Sequence, residues 1–409
     1  MINIGTLFSG IGAFEEALAQ LGIDYTIEFA CDNGEIDFIP FENPTKRKEY
    51  SDLDKRAKNL KDEERDRYNE LRQELDIIID DLRNECNALP SVGDKIAFVD
   101  RLYTQYAGAH TNWVKKTYQQ NHSAHGGVFY TDVRFVNGTD HTNQIDFLVG
   151  GSPCQSFSNY GKKRGLEDTR GTLFYDYARI IQESQPKVFI YENVESILTN
   201  DKGRTWATIQ DVLRSLNYNI YSSVIDSVNH DHPQRRRRLF LVGFRSDLHV
   251  TNYVFPPDKD LTHFSDRYLE TNPVASKYYL GKKGFEWITT PEKNENRTRV
   301  NQRIIGTQTA NQQDNWIGDL RVERPRQEHY DDPKIYVGQY DFGNGLEDAV
   351  GRKLTPRECL KLMGFSPIFN IDGIPDKHLY RQSGNSIVVP VLKDIIQSIM
   401  PFLGNERED

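Results

Sequence analysis

The chain has 409 residues, of which 37% are hydrophobic and 27% charged, enough for one large domain or two ordinary ones with cores that need no crosslinks. Its opening Ile2-Asn3-Ile4 is strand-like and lacks the basic-then-apolar order of a secretory leader, and no run approaches the roughly 20 apolar residues of a membrane helix, so a cytoplasmic protein with no membrane partner is expected. Cys31, Cys86, Cys154 and Cys359 are far apart with no CxxC pair, which argues against a disulfide framework and a zinc site, and no metal is expected; the net charge of −9 argues against a nucleic-acid partner only until its distribution is read.

In chain order, β-branched and aromatic runs predict strands at 2–7, 26–31, 127–131, 145–149, 187–191 and 239–244, with helices at 13–21, 112–120, 173–183 and 204–216 from apolar spacings of 3 and 4. This alternation is that of an α/β fold with a mostly parallel, doubly wound sheet. Residues 44–108 interrupt it with a mixed-charge segment in which Tyr68, Leu71, Leu75, Ile78 and Leu82 form a heptad-like stripe. That stripe predicts a helical insertion, either a hairpin packed on the main domain or an arm for dimerisation or for clamping a partner. From 246 to 345 the alternation stops and Pro, Asn, Thr and Arg dominate, marking a smaller domain; regular structure returns with helices at 354–364 and 386–399.

Three loops follow predicted strands at the carboxyl edge of the sheet, where open α/β sheets bind ligands. In the first, Phe8-Ser9-Gly10-Ile11-Gly12, the glycines permit positive φ and close approach of a ligand to the main chain. Asp32 ends the next strand, 20 residues after Gly12, where a carboxylate can accept from ribose hydroxyls; Asp132 ends a third strand and could meet an adenine amino group, although such a residue by itself is more often a helix or turn cap. Glu15 stands at the third glycine position of a dinucleotide fingerprint, so no pyrophosphate cradle is completed.

The second loop, Gly150-Gly151-Ser152-Pro153-Cys154-Gln155-Ser156, sets a cysteine among polar neighbours, unlike a core cysteine. In the third, Glu192-Asn193-Val194 ends the adjacent strand, so Glu192 is expected beside Cys154. Further on, Arg235 to Arg238 run into a strand after Gln234; alternation sends Arg236 and Arg238 to one face and Arg235 and Arg237 to the other. Residues 297–326 carry six arginines (Arg297, Arg299, Arg303, Arg321, Arg324, Arg326) against three acids.

F-x-G-x-G, G-S-P-C-Q, E-N-V, Q-R-x-R, R-K-L-T-P-R-E and Q-x-G-N-S in this order resemble the motif series of the bacterial-type cytosine-C5 DNA methyltransferase family, across the chain outside 44–108 and 246–345. The resemblance implies a Rossmann-like fold dependent on S-adenosyl-L-methionine, with S-adenosyl-L-homocysteine as product. Phe8, Gly10, Gly12, Asp32, Asp132, Leu173, Asn385 and Ser386 would line the cofactor site. Cys154 would add to C6 of a flipped cytosine, Glu192 would hold N3, Arg238 O2, and Arg236 would help to place Cys154 and a nearby phosphate. Segment 246–345 would be the target recognition domain, with 346–409 returning to complete the catalytic domain.

Double-stranded DNA is then the expected partner, touched by Gln155, Ser156, Arg235, Arg237, Arg297, Arg299 and Arg303, with a cognate restriction endonuclease as a second possible partner; residues 156–163, with Gly161 and two lysines, could form a lid. Two departures stand out. Asn33 follows Asp32 where the family has an aromatic, and the 44–108 insertion has no counterpart in compact members. Rival readings are a tRNA methyltransferase on the same scaffold, a DNA-binding regulator with a dead site, and a thiol hydrolase. The last is opposed because His230 and His232 show no orienting acid in the sequence.

Overall fold

A computed structural model describes residues 1–153, 173–290, 292 and 297–403. The chain divides into two compact units, one of Met1–Ser9, Asp24–Ser222 and Phe240–Tyr253, the other of Gly10–Ile23, Ser223–Leu239 and Val254–Asp409.

The first unit carries the large sheet. Its strands are β1 (Ile2–Leu7), β2 (Tyr25–Cys31), β3 (Val128–Tyr130), β4 (Phe147–Gly150), β5 (Val188–Val194), β6 (Tyr218–Asp226) and β7 (Arg237–Arg245), in the order β3-β2-β1-β4-β5-β7-β6. β1 pairs in parallel with β2 and β4, β2 with β3, and β4 with β5. The central runs Phe147–Leu148 and Val188–Ile190 are fully buried, the near-continuous apolar pattern of strands covered on both faces. Strand order reverses between β1 and β4, which opens a crevice at the carboxyl ends of these two strands. The mostly parallel α/β architecture is thus as expected. β6 escaped the sequence reading because its residues are mostly half-exposed and include Asn219, Ser222 and Ser223.

The insertion folds as α2 (Pro44–Asp54), α3 (Asp62–Asn87) and α4 (Val92–Tyr106). Asn43 caps α2, its side chain accepting from Thr45 N at 2.9 Å, and Ser91 caps α4 by accepting from Asp94 N at 3.1 Å. Asp62, Glu63 and Glu64 suit the positive end of α3. The buried side of α3 is Tyr68, Leu71, Leu75, Ile79 and Cys86. The stripe therefore drifts from the heptad reading, with Ile78 and Leu82 only partly buried, because a straight helix repeats every 3.6 residues rather than 3.5. Cys86, Val99, Leu102 and Tyr103 pack with Phe38 and Phe135, which follow β2 and β3, so the insertion is seated on the edge of the sheet unit. The unit also holds α5 (Trp113–His122), α6 (Leu173–Ser184) and α7 (Arg204–Ser215).

The second unit contains α1 (Ala13–Leu21) and a four-stranded sheet, ordered β10-β11-β9-β8, of β8 (Thr298–Val300), β9 (Gly318–Glu323), β10 (Val337–Asp341) and β11 (Leu346–Lys353). Its fourth strand lies wholly beyond residue 345. Leu280, Phe285, Ile288, Leu320, Val322 and Ala349 form its core, with α8 (Lys282–Thr289) supplying two of them; α9 (Gln327–Asp331) precedes β10. The unit closes with α10 (Pro356–Lys361), α11 (Asp376–Asn385) and α12 (Val389–Leu403). The helices expected at 354–364 and 386–399 are present with shifted ends, and α11 was not foreseen. α12 packs on α1, and nearby Gln20 Nε2 donates to Gly364 O at 2.8 Å while Ser366 N donates to Glu16 Oε1 at 2.8 Å. Against the sequence expectation, Asp376–Leu403 is long and apolar enough for a membrane span, with a window of mean hydropathy 1.5. Half of that window is buried within the protein, as in a core helix.

Candidate active site

Register aligns five strands in one row: Tyr130 pairs with Cys31, Cys31 with Leu7, Leu7 with Gly150, and Gly150 with Tyr191; β1 to β4 end at this row and β5 runs on to Val194. Just beyond this row come Asp132 two positions on, Asp32, Phe8, Gly151 and Glu192, so the sheet alone gathers four of the expected site residues at one edge.

Phe8 has φ of 53° and Gly10 of 55°, and the chain turns sharply out of β1. A Cβ on Gly10 would meet nothing within 4 Å, so its glycine is demanded by backbone geometry, and open space lies against the main chain there. Gly12, with φ of 87°, is the cap residue of α1. Asp32 is half-buried; its Oδ1 accepts from Gly34 N at 2.8 Å and its carbonyl from Asn112 Nδ2 at 2.9 Å. Leu173 opens α6 and is half-buried.

Asp132 differs from the expectation. Only 3% exposed, its carboxylate accepts from Arg134 N at 2.9 Å, Arg134 Nε at 3.0 Å, the other Arg134 terminus at 2.6 Å and Tyr103 Oη at 2.8 Å. A carboxylate offers about four acceptor positions, and four donors already occupy them. Asp132 is thus a buried anchor of the turn after β3 and not an open acceptor for an amino group.

On the other side of the switch point, a Cβ on Gly151 would lie 2.6 Å from Glu192 O and 3.0 Å from Glu192 Oε2. Glycine at 151 lets the Glu192 carboxyl lie directly over the chain leaving β4, three residues before Cys154. The two strand ends are further tied by Ser152 Oγ to Tyr191 Oη at 2.9 Å and by Asn193 Nδ2, which donates to Ser152 O at 2.9 Å and Tyr191 Oη at 2.8 Å. Tyr191 and Ser152 were not singled out in the sequence; the Asn of E-N-V was the available signal. Cys154, Gln155, Ser156 and the 156–163 lid lie outside the described residues. The other three cysteines are buried, and burial pushes Cys86 up to about 11 and Cys31 and Cys359 well above the ordinary thiol range, so none of them is a thiolate nucleophile.

In the second unit the arginine run alternates as its strand approach predicts, with Arg235 and Arg237 exposed, Arg236 buried and Arg238 half-buried. Arg236 departs from the phosphate-binding part of its expected role, while the part toward Cys154 lies outside the described residues. Arg236 is 4% exposed, and its guanidinium donates to Gln308 O at 2.7 Å, Gly384 O at 3.1 Å and Ser386 O at 2.7 Å. Arg236 thus braces the Q-x-G-N-S turn from within and does not present its charge to a phosphate. Arg238 donates to Arg237 O at 2.8 Å. Asn385 is exposed at the end of α11, Ser386 is buried just beyond it, and a Cβ on Gly384 would fall 2.2 Å from the Thr309 carbonyl, so only glycine fits.

An orienting acid for His230 does exist: its Nδ1 is 2.7 Å from Asp394 Oδ2, a pairing across 164 residues that the sequence could not reveal. The ring is 3% exposed and Asp394 also holds Lys259 at 2.6 Å, so the pair is a buried tie within this unit. His232 is buried against Leu362 O. The arginine-rich segment divides. Arg299 is bidentate to Asp319 at 3.0 and 2.8 Å and Arg324 to Glu347 at 2.8 and 2.9 Å, so the charge of Arg299, expected to touch DNA, is matched within the protein. Arg297 is exposed, and exposed Arg303 lies 3.6 Å over the Phe264 ring. No group of three or more metal-ligating side chains occurs among the described residues.

The family model for C-5 cytosine-specific DNA methylases matches residues 103–401. The chain belongs to that family. Among its relatives, type II methyltransferase M.HpaII of Haemophilus parainfluenzae is 32% identical over 343 residues, covering 77% of this chain and 92% of the relative. Type II methyltransferase M1.ScrFI of Lactococcus lactis subsp. cremoris is 32% identical over 298 residues, covering 72% and 71%. The crystal structure of a Spodoptera frugiperda DNMT2 mutant matches with a TM-score of 0.60 at 15% identity, covering 98% of this chain and 100% of that one, a likeness of fold. A prophage-encoded DNA modification methyltransferase of E. coli matches at 0.52 and 17% identity, covering 98% and 99%. The protein is an enzyme, a DNA (cytosine-5-)-methyltransferase, built on the fold of S-adenosylmethionine-dependent methyltransferases.

Proposed function

We propose that this enzyme rotates a cytosine out of a specific double-stranded DNA sequence and methylates C5 through a covalent bond from Cys154 to C6. The observation that carries the reading is the Glu192 carboxyl lying over Gly151, three residues before Cys154. An acid on one strand end and a thiol on the loop from its neighbour suit an attack needing both at one ring.

C5 of cytosine is a weak carbon nucleophile. Addition of the Cys154 thiolate to C6 moves the ring electrons toward N3 and makes C5 the nucleophilic end of an enamine. Glu192 supplies the proton that N3 takes up and accepts from the exocyclic amine, which also selects cytosine. Arg238 faces the charge developing at O2. Once C5 carries its methyl group, loss of the C5 proton and departure of the thiolate restore the aromatic ring and the free enzyme. Lost stacking and pairing of the rotated base costs a few kcal/mol.

The residues fit S-adenosyl-L-methionine. Open space lies against the Gly10 main chain, Phe8 and Asp32 are half-buried at adjoining strand ends, and Asn385 is exposed at the end of α11. When bound, that cofactor supplies an electrophilic methyl group and leaves as S-adenosyl-L-homocysteine. Phe8, Gly10, Gly12 and Asp32 would hold its adenosine side, with Leu173, Asn385 and Ser386 as further contacts. Residues 246–345 would contain the target-reading surface, Arg235, Arg237, Arg297 and Arg303 would meet phosphates together with Gln155 and Ser156, and a restriction endonuclease of the same target would be the cellular counterpart, in the cytoplasm.

A duplex in which the target cytosine carries fluorine at C5 tests the covalent step. Without a C5 proton to lose, the adduct should persist and survive denaturing electrophoresis. Cys154→Ser should abolish both adduct and turnover while duplex binding in a gel-shift assay stays within about twofold. Methyl transfer by Cys154→Ser at a wild-type rate would remove the mechanism.

A further inference from the structure

The helical insertion reaches into the sheet edge at several points, all within the first unit. Tyr103 Oη of α4 donates to Asp132 Oδ2 at 2.8 Å, Thr131 Oγ1 donates to Asp100 Oδ1 of α4 at 2.7 Å, and Arg83 of α3 donates through Nε to Arg134 O at 2.6 Å. Thr131, Asp132 and Arg134 are the turn leaving β3. The Tyr103 ring stacks on Phe38, in the segment after β2, with centroids 4.8 Å apart and planes at 12°, and the Arg134 guanidinium lies 5.2 Å above the same Phe38 ring. The insertion thereby clamps the segments leaving β2 and its neighbour β3, the first of which begins with Asp32.

Two details make Tyr103 the pivot. Tyr103 and Asp132 are both buried, so water cannot replace the phenol as donor. Burial, and then the Asp132 charge, push the Tyr103 hydroxyl well above its ordinary range, and it remains a proton donor at every working pH. Asn33 stands where an aromatic side chain was expected after Asp32, so the wall of this edge must be shaped by other residues.

We propose that the insertion is part of the cofactor site: Tyr103 positions Asp132 and the turn behind it, and so sets the affinity of this edge for the adenosine portion of S-adenosyl-L-methionine. Tyr103 is a positioning residue: it acts through the turn that Asp132 anchors just after Tyr130, whose carbonyl accepts from Asp32 N at 3.2 Å. The proposal rests on the cofactor reading above and adds a chain-specific determinant to it. It also gives the insertion a duty other than dimerisation or DNA clamping.

The test compares Tyr103→Phe, which deletes one hydroxyl, with Lys95→Met, which cuts another buried insertion tie, Lys95 to Asp140 at 2.6 Å, away from this turn. S-adenosyl-L-homocysteine binding is measured by calorimetry, alongside KM for S-adenosyl-L-methionine, KM for duplex DNA, kcat at saturating cofactor, and Tm. Tyr103→Phe should weaken cofactor binding and raise its KM by about tenfold, the scale of one hydrogen bond to a buried charge, with kcat and the DNA KM unchanged. Lys95→Met should lower Tm and leave cofactor affinity as it was. Equal cofactor affinity in wild type and Tyr103→Phe, or equal losses in both variants, overturns the proposal. Should Tyr103→Phe not fold, Thr131→Val reads the same turn with the same expected loss, and normal cofactor affinity there overturns it. Failure of the wild-type protein to bind either cofactor form at all would instead defeat the reading on which the proposal rests.

Discussion

The two units differ in how they place several of the polar residues expected at the site. In the large sheet, polar site residues follow the buried ends of parallel strands, where the row Tyr130, Cys31, Leu7, Gly150 and Tyr191 leaves each next residue at one edge. In the unit of the smaller sheet, charges are folded inward or paired off: Arg236 on three carbonyls, Arg299 on Asp319, Arg352 on Glu323 and Glu358, His230 on Asp394. Parallel pairing thus fixes where a functional side chain stands, whereas an arginine count in an irregular segment fixes nothing until its acids are located.

The sharpest way to break this contrast is at the arginine run. Arg236→Met should destabilise the protein by about 3 kcal/mol, because three buried carbonyls lose their donors. Arg235→Ala should stay within about 0.5 kcal/mol, as an exposed residue does. Urea denaturation of the two variants checks both, and equal stabilities would erase the distinction between buried and exposed members of the run.

A somewhat smaller effect is expected from pH. Burial pulls His232 down to about 4 from an ordinary value near 6.5, so between these values the unfolded chain binds the proton and the folded one does not. Stability should therefore fall as pH drops from 7 toward 4, by at most about 3 kcal/mol. His232→Asn should flatten that part of the curve. Asp76, raised to about 6 by burial in α3, acts with the opposite sign, favouring the folded state as pH falls, so the comparison must be made between variants rather than read from wild type alone.

The smallest effect separates the arginines of the 297–326 segment. Arg303→Ala should weaken duplex binding a few-fold and lower the salt slope of affinity by about one. Arg299→Ala should leave that slope unchanged, since its charge is already matched by Asp319. Binding isotherms at several salt concentrations decide this.

The sequence made the sheet legible because each of β1, β2, β4, β5 and β7 is a dense apolar run. Glu192 beside the chain leading to Cys154 was likewise legible, since both segments follow apolar strand runs at the carboxyl edge of one parallel sheet. β6 was missed because its Ser and Asn residues mimic a loop, and α11 because most of its residues are polar. Asp132, Arg236 and Arg299 were placed on the right segments and given the wrong surroundings. Gln308, Asp319 and the Tyr103 that completes the local Arg134 cap on Asp132 come from segments whose approach no local pattern encodes. The same holds for His230 and Asp394.

Contact between α1 and α12 has a consequence for biosynthesis. α1 leaves the ribosome long before α12, its packing partner, so the turn carrying Gly10 and Gly12 lacks that support while the whole of the intervening chain is made. A chain stopped just short of α12 would carry Glu192 and the Q-x-G-N-S turn and still leave the side of α1 that α12 covers bare to water.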